Sequence, residues 1–195
     1  MSILIGAVPR IIPAVGYSPD TPTTVFTGIS GSFGYSTSYA GYSTRLIIPP
    51  SEILDAIAGR RQLQFTLLDT PALLRNLAVE VQALQVVGAH EYDTLAAPQE
   101  ILFAGGSGTH PGSNVSDWTT LPRDLQVTDT LVVIMDVLTA PSSPGRFYYD
   151  TADGASTCKM WYAAGQQTYD DAVPVGGTWN SHASYIPMIT EIQAR

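Results

Sequence analysis

The amino-acid sequence predicts an all-β chain: an antiparallel β-sandwich with one short helix at about residues 51–58 and an extended N-terminal arm. Three observations lead there. Beyond residue 62 apolar and polar residues mostly alternate with a period of two, the pattern of half-buried strands. Short apolar runs are separated by clusters of Gly, Pro, Ser and Asn, the punctuation of a sandwich or barrel. Charged residues make up 13% of the chain, about half the usual share of about 25%. Tyr, Thr, Ser, Gly and Pro take their place, a mixture that suits strands and turns better than exposed helices.

Residues 1–43 differ from the rest and are read as an arm or as edge strands packed on a body spanning 44–195. Pro9, Pro13, Pro19 and Pro22 exclude a long helix there. Ile11, Ile12, Val15, Val25 and Phe26 are too apolar for a solvated tail, so they are expected to bury against a neighbouring subunit. Thr44–Pro49 is the first body strand. Ser51–Ala58 carries apolar residues at positions 53, 54 and 57, a helical spacing, with Ser51 as cap and Gly59 as stop. Gln62–Leu67 and Leu77–Val86 alternate as strands, and Gln99–Phe103 is a further short one. Leu131–Leu138 is apolar on both faces, which marks a central strand. Arg146–Tyr149, Cys158–Tyr162 and Ser184–Ile192 complete the set, and Pro187 places the last at an edge or a bulge.

Charge and cysteine usage limit the function classes. Seventeen acids against nine bases leave a net charge of −8. Such a surface repels phosphate, which argues against nucleic acid and against anionic membranes as partners. Cys158 is the single cysteine, so an intrachain disulfide and a cysteine-based metal site are both excluded. The N-terminus lacks the basic start and long apolar core of a signal peptide.

From residue 45 on, the order of short segments resembles a known module. Arg45-Leu46-Ile47-Ile48-Pro49-Pro50-Ser51, Phe103-Ala104-Gly105-Gly106, Ser116-Asp117-Trp118, Asp124-Leu125 and Thr130-Leu131-Val132-Val133 carry the likeness. Together they resemble the jelly-roll β-sandwich of structural proteins of tailed bacteriophages and gene transfer agents. The same module is similar to the accessory sandwich that precedes the catalytic domain of some SGNH-type esterases. The resemblance spans about residues 44–195 and rests on scaffold positions. It implies a virion part assembled in the host cytoplasm: a head decoration or spike, or a tail fibre component. Its partners would be other capsid or tail proteins, further copies of itself, and a cell-surface glycan. The esterase likeness is the weaker fit, since nothing of catalytic-domain size follows the sandwich.

Catalytic motifs are missing from the pattern. Gly28–Ser32 and Gly105–Thr109 lack the last glycine of a nucleophile elbow and read as turns. His90, His110 and His182 are far apart, without the i, i+4 spacing of a helical zinc site. Asp150–Gly154 breaks the spacing of a calcium loop and reads as a hairpin turn. The paired acids Asp170-Asp171 and Glu91/Asp93 could flank a sugar, but read first as solvated loop acids. No enzyme activity, metal or cofactor is therefore expected.

The aromatics carry the binding expectation. Tyr148, Tyr149, Trp161, Tyr162, Tyr169 and Trp179 cluster in the last third. Aromatic rings stack on sugar C–H faces and also anchor protein interfaces. Adjacent pairs such as Tyr148/Tyr149 and Trp161/Tyr162 should divide between core and surface, while Trp118 is expected in the core. The readings left open are a non-enzymatic virion component, a carbohydrate-binding module and, last, an esterase- or glycosidase-associated domain.

Overall fold

The computed structural model describes residues 21–28, 34–36, 41–68, 73–83, 98–104, 114–139, 147–151, 157–164, 179–183 and 185–195. Among them the chain forms strands β1 (Thr23–Thr27), β2 (Gly34–Ser36), β3 (Tyr42–Ile48), β4 (Gln62–Leu67), β5 (Leu73–Ala83), β6 (Gln99–Glu100) and β7 (Thr119–Thr120). It continues with β8 (Asp129–Thr139), β9 (Phe147–Thr151), β10 (Lys159–Ala164), β11 (Trp179–Ala183), β12 (Tyr185–Pro187) and β13 (Ile189–Ala194). The chain is an all-β sandwich, as the alternating pattern requires.

The strand order is that of a jelly roll. One sheet runs β1-β13-β4-β7 and the other β11-β10-β3-β8-β5-β6. Count β1, β3, β4, β5, β6, β7, β8 and β13 as strands one to eight. The first sheet then reads 1-8-3-6 and the second contains 2-7-4-5, all antiparallel. These are the two interlocked Greek keys of the jelly roll. Between the seventh and eighth strands the chain adds β9 to β12. β10 and β11 widen the second sheet beyond β3, while β12-β9-β2 forms a small third sheet.

The core lies between the two main sheets. Along β4, Leu63, Phe65 and Leu67 point inward while Gln62, Gln64 and Thr66 are half-buried. They meet Leu46 and Ile48 of β3, Leu77, Val79 and Val81 of β5, and Leu131, Val133, Met135 and Val137 of β8. The alternate residues of β8, Val132, Ile134 and Asp136, are buried as well. Its apolar-on-both-sides sequence thus marks a central strand covered on both faces. On that second face Ile47, Val132, Trp161 and Ala163 form a separate apolar cluster. Beside it the hydroxyl of Ser43 donates to Asp136 Oδ1 at 2.5 Å, and Arg45, fully buried, donates from Nη1 to the Thr44 carbonyl at 3.0 Å. A polar side chain in such a place must be hydrogen-bonded to be tolerated.

Four sequence expectations need correction. The expected helix over 51–58 is instead two 3-10 turns, Pro50–Glu52 and Asp55–Ile57, separated by Ile53 and Leu54, both in extended conformations. Eight residues after a Pro-Pro pair cannot repay the cost of helix nucleation. The broken turn buries Ile53 and Ile57 while leaving Leu54 exposed. Ser51 does not cap; its hydroxyl meets that of Thr157 at 2.8 Å. Gly59 does end the segment, with φ +75° and no atom near the position a Cβ would take.

The second correction concerns Val25 and Phe26, which bury in this chain rather than against a neighbouring subunit, on an edge strand packed on the body. They lie on β1, paired with β13, and both are buried in the body's own core. Neighbouring strand residues normally face opposite ways. Here the register shifts between Thr24 and Phe26, and this bulge turns both side chains inward. Ile11, Ile12 and Val15 lie outside the described residues.

Third, Ser184–Ile192 is two strands in two different sheets. The break falls at Met188, whose φ of +57° turns the chain out of β12 and into β13. Pro187 ends β12, an edge strand of the small sheet, where a missing N–H costs least. Fourth, β6 stops at Glu100, short of the expected Phe103, although Phe103 is buried.

The start of β8 is held by an ion pair. Asp129, nearly fully buried, accepts from Arg123 Nη1 at 2.6 Å and Nη2 at 2.7 Å, and from the Gln126 backbone N–H at 2.8 Å. The hydrogen bond to Asp129, aided by that residue's charge and opposed by desolvation, raises the Arg123 pKa above its ordinary value. Asp129→Ala is expected to cost about 1–3 kcal/mol in urea denaturation, because a buried acceptor for three N–H groups is lost. A cost within experimental error would show that the turn holds itself.

Candidate binding cleft at the open edge of the sandwich

β6 is the last strand of one main sheet and β7 the last strand of the other, and both lie at the same edge of the sandwich. Between them is a cleft of about 160 Å³ lined by Gln99, Glu100, Leu102, Asp117, Trp118, Thr119 and Thr120. Its walls are tied by the backbone. The Asp117 N–H donates to the Leu102 carbonyl at 2.8 Å, and the Thr119 hydroxyl reaches the Glu100 carbonyl at 3.4 Å. These two bonds cross from one wall to the other and tie them together.

Ser116 anchors the segment leading into Trp118. Its buried hydroxyl accepts from the Phe65 N–H at 2.9 Å and donates to the Asp117 carbonyl at 2.8 Å, while its own carbonyl accepts from Gln64 Nε2 at 2.8 Å. The Ser-Asp-Trp run is thus bound to the central strand β4 of its sheet. The Trp118 ring is half-buried, and the Arg195 guanidinium sits 4.3 Å from its centroid. Arg195 Nε in turn donates to Gln62 Oε1 at 2.8 Å, and Gln62 Nε2 to the Thr120 hydroxyl at 2.9 Å. This chain of contacts fixes the indole's orientation at the mouth. Glu100, Asp117 and Thr120 are exposed beside it.

The cleft therefore offers one aromatic ring, one aliphatic side chain, two carboxylates, an amide and two hydroxyls. That set can grip a molecule with a C–H face and a rim of hydroxyls. Its volume is below the roughly 300–1,000 Å³ of drug-sized pockets, which limits it to one ring of such a molecule at most.

Sequence reasoning missed this cleft because it read Trp118 as core. The signal against that reading was local: Asp117, Thr119 and Thr120 flank the indole, and apolar neighbours are missing. A core strand would alternate with apolar residues, as β4 does.

The aromatics singled out from the sequence are not gathered in one site among the described residues. Trp161 is buried in the second-face cluster and offers no open ring to a ligand. The Lys159 ammonium lies 4.7 Å from its ring centroid. Tyr162, on the opposite face of β10, is half-buried against the main core, its ring 6.1 Å from that of Tyr42. The pair does divide between the two faces, but neither forms an exposed platform. Tyr148 and Tyr149 lie on β9 in the small sheet, opposite Tyr35 and Gly34. Trp179 begins β11, opposite Ala163. Tyr169 lies outside the described residues, as do His90, His110, Glu91, Asp93 and Asp170-Asp171. His182 lies on β11 opposite Met160. Among the described residues no group of three or more His, Cys, Asp or Glu side chains is placed to hold a metal ion.

No protein-family model matches the chain, and no curated protein matches it in sequence.

Proposed function

We propose that the chain is a structural component of a tailed-phage or phage-like particle, with the jelly roll as the body it displays or docks. The observation that carries this reading is the strand order, 1-8-3-6 facing 2-7-4-5. It is the arrangement of viral capsid and lectin domains, and the segments that resemble phage jelly rolls lie on it as scaffold. Arg45–Ile48 lies on β3, Thr130–Val133 on β8, and Ser116 rivets the approach to β7. The net charge of −8 suits a subunit that must stay soluble until it assembles.

Particles purified by density gradient from cells that carry the gene test the reading. The chain is expected to co-sediment with them; recovery only in the soluble fraction overturns the proposal. The arm is tested separately by a truncation that ends before Thr21. Such a variant keeps β1 and the core that β1 completes, while it loses Ile11, Ile12 and Val15. Incorporation is expected to fall sharply. Undiminished incorporation would remove the arm from the assembly mechanism.

A further inference from the structure

We propose that the edge cleft between β6 and β7 is a binding site for a single ring of a neutral saccharide, with Trp118 as the stacking surface and Asp117 and Glu100 as acceptors for sugar hydroxyls. The inference stands on the cleft's own chemistry and does not require the virion role.

Competing ligand classes fit the lining less well. An apolar ligand would rest on Leu102 and Trp118 but leave the lining carboxylates and hydroxyls without a hydrogen-bonding partner from the ligand. An anion, including a uronic or sialic acid, would face two carboxylates against one guanidinium, that of Arg195 on the indole, on a chain of net charge −8. A metal ion would have two acids beside an indole, and the described residues around them complete no cluster of metal-binding side chains. A neutral sugar matches the ring and the exposed polar groups together. Its C–H face lies on the indole, whose ring is both hydrophobic and electron-rich. Its hydroxyls donate to the carboxylates, and such charge-assisted bonds are the stronger kind. The exposed Thr120 hydroxyl, which accepts from Gln62, can donate to a further sugar oxygen.

Preorganisation supports the same assignment. The walls are the strands β6 and β7 with the segments that adjoin them, joined by the Asp117–Leu102 and Thr119–Glu100 bonds. One face of the indole carries the Arg195 guanidinium, which holds the ring in place and leaves the other face for stacking. A site that is rigid before binding loses little entropy when the ligand arrives.

The test is a glycan array probed with the full chain displayed multivalently, followed by calorimetric titration of the free glycans that score. Binding is expected for neutral glycans and not for their sialylated or uronic counterparts. Trp118→Ala is expected to weaken affinity about tenfold or more. In the double variant Glu100→Gln, Asp117→Asn, whose amides keep the size and one acceptor oxygen of each exposed side chain, glycan affinity is expected to fall, and its thermal midpoint is recorded to show that it folds. That variant decides the matter if Trp118→Ala fails to fold. No neutral glycan bound, a preference for acidic glycans, or affinity unchanged in the double variant would each overturn the site. Particle incorporation is read separately, so loss of one proposal leaves the other standing.

Discussion

Arg60→Ala is expected to lower the stability of the sandwich by about 3–5 kcal/mol, although the residue lies in a short connection with no regular structure of its own. Only 4% of Arg60 is exposed. Its Nε donates to the Ala56 carbonyl at 2.6 Å, closing the second 3-10 turn. Its Nη1 reaches the Thr21 carbonyl at 2.8 Å and also the Ala194 carbonyl, while Nη2 reaches the Thr23 hydroxyl at 2.7 Å. One guanidinium thus joins the turn, the start of the first strand and the end of the last. Alanine would leave buried carbonyls without donors and open a space at the junction. Lysine keeps the charge but has a single nitrogen where the planar fork supplied three, so Arg60→Lys should recover a minor part of the loss. Urea unfolding followed by the fluorescence of the three tryptophans measures both variants. A loss under about 1 kcal/mol for Arg60→Ala would show that the junction is held by its strands alone.

Deleting residues 1–27 is expected to abolish cooperative folding. β1 brings Val25 and Phe26 into the same core as Leu63, Phe65 and Ile192. Emptying a buried phenylalanine site costs about 3–5 kcal/mol, and uncovering a valine adds about 1.5–3. The Val25 carbonyl also accepts from the Leu54 N–H at 2.9 Å, the Thr24 hydroxyl donates to Glu191, and Arg60 loses Thr21 and Thr23. The sum approaches the whole stability of a typical domain, about 5–15 kcal/mol. β13 would in addition be left as an open edge. Loss of the sigmoidal urea transition and a collapsed amide spectrum are the expected readouts. Phe26→Ala alone should cost about 3–5 kcal/mol and keep a transition. A deletion variant that unfolds cooperatively at the parental midpoint would show that β1 is dispensable. Any truncation meant to probe an arm must therefore stop before Thr21.

How much of this was legible depended on where each residue's partner lies. The β4 pattern needed no partner to be read: Leu63, Phe65 and Leu67 alternate with polar residues, and a half-buried strand permits no other phase. β8 was legible for the complementary reason, since a run apolar on both sides must be covered on both sides. Trp161 and Tyr162, being adjacent on one strand, had to part to opposite faces. That the outward face of β10 would itself be buried was not legible, because its cover is supplied by other parts of the chain. Val25 and Phe26 look like arm residues because Pro-rich sequence precedes them. Their pairing strand is more than 160 residues away, with Thr24 bonded to Glu191 across a separation of 167. Trp118 looked like core because tryptophan usually is; its place at the edge follows from two strands ending there.

From the sequence alone came the class of fold: strands rather than helices, a body without disulfides, an acidic surface and a central strand at 131–138. Those are local properties, set by side-chain periodicity, backbone preference and charge. The tertiary structure alone decided the jelly-roll order, the capture of β1 by β13, the conversion of a helical spacing into two 3-10 turns, and the cleft that joins Trp118 to Glu100. Each depends on which distant segments pair. Pairing is decided by the collective burial of both sheet faces, an energy to which no single stretch of sequence holds the full set of terms.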